Sequence, residues 1–446
     1  MTHGNGVVTT YQYDPASQLT RLAHQLGATG INSFDYSYDK VGNRRTKADN
    51  NGTANYTYDT LNRLVEAVNP LPSNPLESFT YDPVGNRVNS NQNGSSTFNT
   101  ANQLLEDANF TYQYDNNGNL TLKTPKTPGP FTSYEYDAEN KLVRAVTNGT
   151  TANYKYDGLG RRVEKEVNDG ATTKVSRHIY DNKDILLELD GSNNITARYT
   201  HGPGIDEPLI MEKGGQSFFY HADGLGSITE ITNSSGAVAQ RYTYSSFGTI
   251  ESQLDPNFVQ PYTFTSREFD LETGLYFNRG RTYDWRTGRF LQEDSFGGFI
   301  IVPQSLNTYS YTLNNPLSHI DPDGLFPDPA SVVGGMIVGG AAGAIMGYVD
   351  GGLLGAVSGA VVGAVVGGAV ALVTEPLSGG SIGGAAGAVA GNLVGSVVEE
   401  MLGPGTLGKG ELPVIQNSPP KRPKLSKLPP ELRELRPRVP PVCPVP

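Results

Sequence analysis

Few residues in this chain have the types and spacing that chemistry requires. Cys443 is the only cysteine, which excludes a disulfide within the chain and a site built from several thiolates. The six histidines are scattered without metal-ligand spacing, so we expect no metal and no cofactor. Carboxylates remain, above all in Asp321-Pro322-Asp323-Gly324. That sequence is also a strong turn signal.

A repeated Tyr-x-Tyr-Asp sequence dominates the elements that must position such residues. Its full and near copies end at the following aspartates: Asp14, Asp39, Asp59, Asp82, Asp115, Asp137, Asp157 and Asp181. The steps between them are 25, 20, 23, 33, 22, 20 and 24 residues, and the longest step contains a degenerate copy at 98–104. A period of this size indicates a repeat architecture.

Each repeat predicts one β-hairpin. The spacing places both tyrosine rings on one face of a strand, because side chains alternate between faces. The aspartate leaves the strand, and Asn- and Gly-rich pieces such as 41–44 form the bend. A second strand follows with an apolar residue such as Leu64 or Leu142. A single hairpin cannot bury its aromatic face, so neighbouring hairpins must stack. We therefore predict an all-β antiparallel fold in which the tyrosines are a scaffold.

The charge divides the chain into three compositions. Residues 1–331 hold 26 Lys and Arg against 38 Asp and Glu, residues 332–402 hold four acids and no base, and residues 403–446 hold eight bases against three acids. A net acidic body argues against nucleic acid as a partner. The N-terminal sequence shows no basic region followed by an apolar run, so no signal peptide is visible.

The sequence pattern changes near residue 215. The block that follows contains these motifs: FYHADGLGSIT at 219–229, YTYSSFG at 242–248, GLYFNRGRTYD at 274–284, TGRFLQED at 287–294, NTYSY at 307–311, NNPL at 314–317 and IDPDGL at 320–325.

Together with the repeats, this block resembles the RHS (rearrangement hotspot) family and its repeat-associated core domain over about residues 8–325. That family includes bacterial polymorphic toxins and the C subunits of insecticidal toxin complexes, and is related to teneurins. The resemblance implies a β-sheet that spirals into a shell, a core domain that closes one end, and a C-terminal segment carried as cargo. It also implies a secreted or cell-envelope protein, with an immunity protein or another toxin subunit as partner.

In several members of that family, an aspartyl-type self-cleavage follows the Asp-Pro-x-Gly-Leu motif. Here the cut would fall between Leu325 and Phe326, and the matching catalytic positions are Asp294 and Asp321, with Arg281 at the position of the family's arginine. Two adjacent carboxylates cannot both ionise easily, so one keeps a proton and the pair can act as acid and base. The arginine can orient a carboxylate or stabilise an oxyanion. The alternative is that Asp294 caps a bend.

Two departures from the family pattern bear on this prediction. Ser295 stands where the family has a proline, and proline fixes φ. The stretch 296–305 is also longer than the usual run, and a small misplacement of a catalytic group costs rate heavily. The sequence alone therefore leaves open whether self-cleavage survives.

The region after the predicted cut carries a ladder of glycines. They recur every fourth residue from 335 to 367 and again from 379 to 395. This small-xxx-small pattern lets helices approach closely in lipid. It predicts helices at about 333–348, 352–373 and 380–401, with membrane contact through 332–402. The alternative is an apolar segment packed inside the shell or serving as a linker. The tail 403–446 contains twelve prolines and is predicted to be disordered.

The predicted domains are a repeat region at 1–214, a core domain at 215–325, a glycine-rich helical segment at 326–402 and a disordered tail at 403–446. Three functions are compatible with them. The first is a shell that encloses and presents a C-terminal effector segment, with a single-turnover self-cleavage. The second is a structural or adhesion module of the cell envelope, anchored by the glycine ladder and without proteolysis. The third is a decayed, inactive toxin cassette.

Overall fold

The structure is a computed structural model that describes residues 1–204, 206–298 and 303–325, and the backbone of residues 328–329. All of these residues lie in one compact unit of the chain, Met1–Gly380. The predicted glycine-ladder helices at 332–402 and the tail at 403–446 lie outside the described residues. No helix in the described part is long and apolar enough to cross a membrane.

Antiparallel strands that pair in chain order form the described part, so the all-β prediction is confirmed. A nine-stranded sheet contains β1 (Val7–Tyr13), β2 (Leu19–Leu26), β3 (Thr29–Tyr38), β4 (Arg44–Asp49), β5 (Gly52–Tyr58), β6 (Leu64–Val68), β7 (Leu76–Tyr81), β8 (Arg87–Ser90) and β9 (Gly94–Ser95). A sixteen-stranded sheet contains β10 (Thr97–Phe98), β11 (Leu104–Glu106), β12 (Phe110–Tyr114), β13 (Leu120–Pro125), β14 (Thr132–Tyr136), β15 (Leu142–Thr147), β16 (Thr150–Tyr156), β17 (Arg162–Asn168), β18 (Thr173–Asp181), β19 (Asp184–Asp190), β20 (Ile195–His201), β21 (Pro208–Lys213), β22 (Gln216–Ala222), β23 (Ile228–Asn233), β24 (Val238–Tyr244) and β25 (Ile250–Gln253).

Two smaller sheets follow in the chain. They contain β26 (Glu268–Asp270), β27 (Leu275–Asn278), β28 (Arg281–Asp284) and β29 (Arg289–Phe290), and then the pair β30 (His319–Ile320) and β31 (Asp328–Pro329). Short 3₁₀ turns lie at Phe264–Ser266, Pro303–Leu306 and Thr312–Asn314.

The repeated aspartate closes its own hairpin turn. The Oδ1 atom of Asp137 accepts the backbone N–H groups of Glu139 and Lys141, each at 2.9 Å. The same i+2 and i+4 pattern recurs in the other full repeats and at Asp82, and the degenerate copy keeps it through Asn99. Asn140 adopts φ 60° within the turn, a conformation that asparagine tolerates. The conserved spacing thus reflects a local hydrogen-bond motif.

The two tyrosines of a repeat have different tasks. In the full repeats after the first, the first ring is buried in the core, as for Tyr134 and Tyr154, whereas Tyr11 of the first repeat is exposed. The second ring sends its hydroxyl to a backbone carbonyl of the preceding repeat: Tyr156 donates to Leu142 at 2.8 Å, and Tyr136 donates to Leu120 at 2.8 Å. Such repeats are therefore tied to their neighbours by a partly buried hydrogen bond as well as by the sheet.

Residues 256–325 pack against strands distributed along both large sheets. Asn315 bonds to Asn43 at 2.9 Å, Tyr309 donates to the carbonyl of Gly118 at 2.8 Å, and Tyr276 donates to that of Gly248 at 2.7 Å. The aromatic rings of this block join the sheet side chains in a shared core. The sheets therefore surround this block, which supplies the interior that they pack on.

The predicted boundary at residue 215 marks a change of sequence pattern within a continuous sheet. The sixteen-stranded sheet continues through β21 and β22 to Gln253. The surrounded block begins only after β25. The domain limits given above remain predictions.

Candidate functional site

Arg281 lies at the centre of the predicted site, at the start of β28. Its side chain is 4% exposed, and its guanidinium lies 3.6 Å from the ring centroid of Phe290. A cation against an aromatic face is favourable in a desolvated setting. The Phe290 ring therefore fixes the plane in which the guanidinium presents its N–H groups.

The structure brings the two predicted catalytic carboxylates to this arginine. The Nη2 atom of Arg281 lies 2.8 Å from Oδ2 of Asp294 and 3.2 Å from Oδ2 of Asp321. The side chains of Asp294 and Asp321 are 8% and 1% exposed. The other guanidinium nitrogens donate to backbone carbonyls, Nη1 to Thr308 at 2.8 Å and Nε to Gly324. One nitrogen is thus shared by two carboxylates.

Asp321 is directly connected to the residue before the predicted cut. Its Oδ1 atom accepts the backbone N–H of Leu325 at 3.1 Å, and its carbonyl accepts Nδ2 of Asn278 at 3.0 Å. Gly324 has φ +68°, and a Cβ there would collide with the carbonyl oxygen of Asn278. The Asp-Pro-Asp-Gly sequence therefore forms a tight turn that requires glycine and orients Leu325 toward Asp321. Phe326 lies outside the described residues.

Asp294 is held in place although Ser295 replaces the family's proline. Its backbone N–H donates to the carbonyl of Thr308 at 3.1 Å, and its Oδ1 accepts the N–H of Phe296 at 2.8 Å. These contacts anchor both the backbone and the carboxyl group. The positioning that a proline would supply through φ is supplied here by hydrogen bonds.

The proton affinities of the site follow from burial. Burial raises the pKa of Asp294 to about 7, with smaller increases from Asp321 and Glu293 and an opposing effect of Arg281. Burial lowers the pKa of Arg281, and the two carboxylates oppose that shift only in part. Near neutral pH, Asp294 can therefore carry a proton while Asp321 faces a cation and a backbone N–H. This is the acid-and-base arrangement expected of a carboxylate pair.

A second set of charged residues holds the turn from the outside. Arg267 and Arg279 donate to the carbonyl of Pro322 at 2.7 and 2.6 Å. Arg279 in turn pairs with Asp206 at 2.6 Å, and Lys183 pairs with Asp323 at 2.7 Å. Sequence reasoning missed these contacts, because Lys183 and Asp206 lie in two hairpin loops that are distant in the sequence. A pocket of about 270 Å³ adjoins them and reaches Leu325.

Comparison with known proteins assigns the chain to a family. The family model described as Teneurin YD-shell matches residues 3–317. The chain belongs to this family. It is an RHS/YD-repeat protein, so the resemblance found in the sequence is confirmed.

Two curated relatives illustrate the range of the family. The tRNA nuclease WapA of Bacillus subtilis (strain 168) is 35% identical over 319 residues, which are 70% of this chain and 12% of that protein. The double-stranded DNA deaminase toxin A of Burkholderia cenocepacia (strain H111) is 26% identical over 325 residues, which are 65% of this chain and 22% of that protein. The YD-shell chain thus spans less than a quarter of the length of either relative.

Solved structures support the same fold. The crystal structure of TcdB2-TccC3-Cdc42 matches 73% of this YD-shell chain and 18% of that chain, with 20% sequence identity and a TM-score of 0.54. The crystal structure of TcdB2-TccC3-TEV matches the same share of both chains, with 22% identity and a TM-score of 0.54. At this level of identity the similarity shows the fold alone.

Proposed function

We propose that this YD-shell chain is the delivery part of a toxin, which encloses and presents its own C-terminal segment as cargo and releases that segment by one self-cleavage after Leu325. Two curated relatives carry the names of a nuclease and a deaminase toxin. The observation that carries the proposal is the shared nitrogen of Arg281, which joins Asp294 to Asp321, the residue that accepts the N–H of Leu325.

The reaction is a hydrolysis of the peptide bond between Leu325 and Phe326. Asp321 accepts a proton from a water molecule, whose oxygen attacks the carbonyl carbon of Leu325. The carbon–nitrogen bond breaks, and Asp294 donates its proton to the departing nitrogen of Phe326. Arg281 orients both carboxyl groups through Nη2 and limits the charge that builds up between them. Each chain performs the step once, because the cut removes its own substrate bond.

Intact-mass spectrometry of the purified full chain tests this proposal. We expect the wild-type chain to appear as two fragments that meet at Leu325–Phe326. Asp294→Asn and Asp321→Asn should leave the chain whole, since each removes one partner of the proton transfer. Asp323→Asn is the matched control: it changes a carboxylate of the same turn that is 42% exposed and paired with Lys183. This variant should still be cut.

An uncut wild-type chain would contradict the self-cleavage and favour the second function, a structural or adhesion module without proteolysis. Cutting that persists unchanged in both Asn variants would place the catalytic groups elsewhere. The inactive-cassette function would be favoured if the chain stays whole and the segment 332–402 also fails to bind lipid.

The partners of the chain follow from the same proposal. The cargo is the chain's own C-terminal segment, and the partner is an immunity protein or another toxin subunit. The glycine ladder at 332–402 contacts membranes after release, since Gly351–Val373 is a run of 23 residues without charge. Partitioning of the cut chain into liposomes tests this membrane contact. Nucleic acid is not proposed as a partner of the acidic shell.

A further inference from the structure

Three of the six histidines converge in one buried cluster, although they are far apart in the sequence. His3 precedes β1, His24 lies in β2 and His221 lies in β22. The ring centroids of His3 and His221 are 4.7 Å apart, and those of His24 and His221 are 5.0 Å apart. The three residues are 8%, 2% and 1% exposed. The fold thus packs three titratable rings against one another, edge-on or tilted, in a space that excludes water.

Hydroxyl and carbonyl groups satisfy the neutral form of these rings. The hydroxyl of Thr9 bonds to Nε2 of His3 at 3.2 Å and to Nδ1 of His24 at 2.9 Å. The hydroxyl of Thr232 bonds to Nε2 of His221 at 2.8 Å. A hydroxyl can donate to one ring and accept from another, which neutral tautomers allow.

Charging the cluster would leave these contacts mismatched. Nδ1 of His221 is buried without a hydrogen-bond partner. Protonation of the ring would place N–H groups on both nitrogens, and the one on Nδ1 would be buried without an acceptor. Nε2 of His24 bonds to the carbonyl of Ala222 at 2.9 Å, and Nδ1 shares the hydroxyl of Thr9 with His3. The cluster is therefore built for uncharged imidazoles.

The cluster joins the first strands of the nine-stranded sheet to late strands of the sixteen-stranded sheet. Nδ2 of Asn5 donates to the hydroxyl of Thr232 at 2.8 Å and to the carbonyl of Asn233 at 2.9 Å. Nδ2 of Asn32 donates to Oε1 of Glu230 at 2.7 Å. We call this contact between β1–β3 and β22–β23 the seam. The three histidines lie in its centre.

Neighbouring acids of the described residues compensate a charged cluster only in part: Asp223 favours the charged form of His24, but burial outweighs it. The N-terminal ammonium of Met1 bonds to the carbonyl of Thr9 and adds positive charge. Asp223 is already paired with Lys47 at 3.1 Å. Glu230 lies opposite His221 in the β22–β23 register, and burial raises its pKa. Acidification therefore favours the neutral form of Glu230 as it charges the rings.

The pH range of the effect follows from the burial of the rings. Burial lowers the pKa of His24 to about 4 and that of His221 to about 2, and it lowers the pKa of His3. A histidine in the unfolded or opened chain titrates near 6.5. Above that pH the closed seam keeps its full stability, and the stability falls as the pH drops from 6.5 toward 4, because the opened state binds more protons.

We propose that His3, His24 and His221 form an acid-sensitive latch that closes the seam near neutral pH and opens it when the protein enters a mildly acidic environment. Opening separates β1 and β2 from β22 and β23. It exposes the inner face of the sheet without any cut of the chain, so the latch is independent of the self-cleavage.

Hydrogen-exchange mass spectrometry of the full chain at pH 7.5, 6.0 and 5.0 tests the latch, with exchange rates corrected for their intrinsic pH dependence. We expect peptides from β1–β2 and β22–β23 to lose protection by about tenfold or more between pH 7.5 and 5.0. Peptides from β14–β16, which contain no histidine, should change much less. Equal loss in both sets would overturn the proposal.

Two variants separate the latch from general acid sensitivity. His221→Phe keeps a ring of similar size and loses one hydrogen bond, and His3→Gln can keep its bond to Thr9. Each should shift the opening of the seam to lower pH. His178→Gln is the control, since His178 is also partly buried with a lowered pKa but lies in β18, away from the seam. Opening at the wild-type pH in both seam variants would refute the latch.

Discussion

Two buried arginines in this molecule have the same kind of neighbours and opposite properties. Arg162, at the start of β17, contacts Asp270 at 2.5 Å and Glu268 at 2.8 Å. Arg281, at the start of β28, contacts Asp294 at 2.8 Å and Asp321 at 3.2 Å. Both side chains are almost completely buried. Each is thus one cation between two carboxylates.

The carboxylates beside the two arginines differ in pKa. Burial alone would raise the pKa of Asp270, but Arg162 and Lys165 hold it below its ordinary value. Burial raises the pKa of Asp294 to about 7, and Arg281 opposes the shift only in part. Asp270 is therefore ionised at neutral pH, whereas a pKa of about 7 leaves Asp294 partly protonated there.

The number and placement of donors explain the difference. Arg162 gives a separate nitrogen to each carboxylate, and Lys165 adds a second cation 3.0 Å from Asp270. In contrast, Nη2 of Arg281 contacts both carboxylates, and its other nitrogens donate to backbone carbonyls. A buried pair is stable only when its charges are well matched. The Arg162 cluster thus ties β17 to β26, and the Arg281 cluster has the protonation states that the proposed self-cleavage requires.

The difference between the two clusters predicts its largest effect on stability. Asp270→Asn should lower the free energy of unfolding by about 3 kcal/mol at pH 7, because it leaves buried cations with unmatched charge. Asp294→Asn should lower the free energy of unfolding by about 1 kcal/mol or less. The reason is that Asp294 is already partly protonated at pH 7, and Arg281 still pairs with Asp321 in the variant. Urea unfolding of both variants measures the difference. Equal losses of unfolding free energy would mean that the two clusters contribute equally to stability.

The second effect concerns the pH dependence of self-cleavage. Asp294 must be protonated to act as the acid, and its pKa is about 7. The rate should be nearly constant below pH 7 and fall by about tenfold for each pH unit above it. Time courses of the intact mass from pH 5.5 to 9 measure this profile. A rate that rises through this range would assign the opposite role to Asp294.

The smallest expected effect on stability comes from making the Arg162 cluster resemble the Arg281 cluster. Lys165→Met removes the second cation beside Asp270 and keeps the apolar stem. It should lower stability by about 1–2 kcal/mol and raise the pKa of Asp270. Relative to wild type, the stability of the variant should then decrease as the pH rises from acidic to neutral, because the higher folded-state pKa makes the ionised form of Asp270 less favourable than in wild type. An unchanged pH profile would show that Arg162 alone suffices.

Local sequence determined the repeat. The Tyr-x-Tyr-Asp pattern predicts hairpins because its information is short in range. It consists of side chains on alternating faces, a turn in which the aspartate carboxylate accepts the N–H groups of residues i+2 and i+4, and an apolar residue in the second strand. The sequence also identified the family, and with it Arg281, Asp294 and Asp321 as the candidate site. The structure places these three side chains in contact, while their catalytic roles remain predictions.

Only the tertiary structure decided the environments of the charged and titratable groups. Sequence cannot show that His3 and His221 lie 4.7 Å apart, that Lys165 lies beside Asp270, or that Asp206 supports the turn before Leu325 through Arg279. These contacts join residues at least 73 positions apart, so no local pattern records them. The physical reason is that burial and neighbouring charge set a pKa. Both depend on how the repeats curve around the block that they surround.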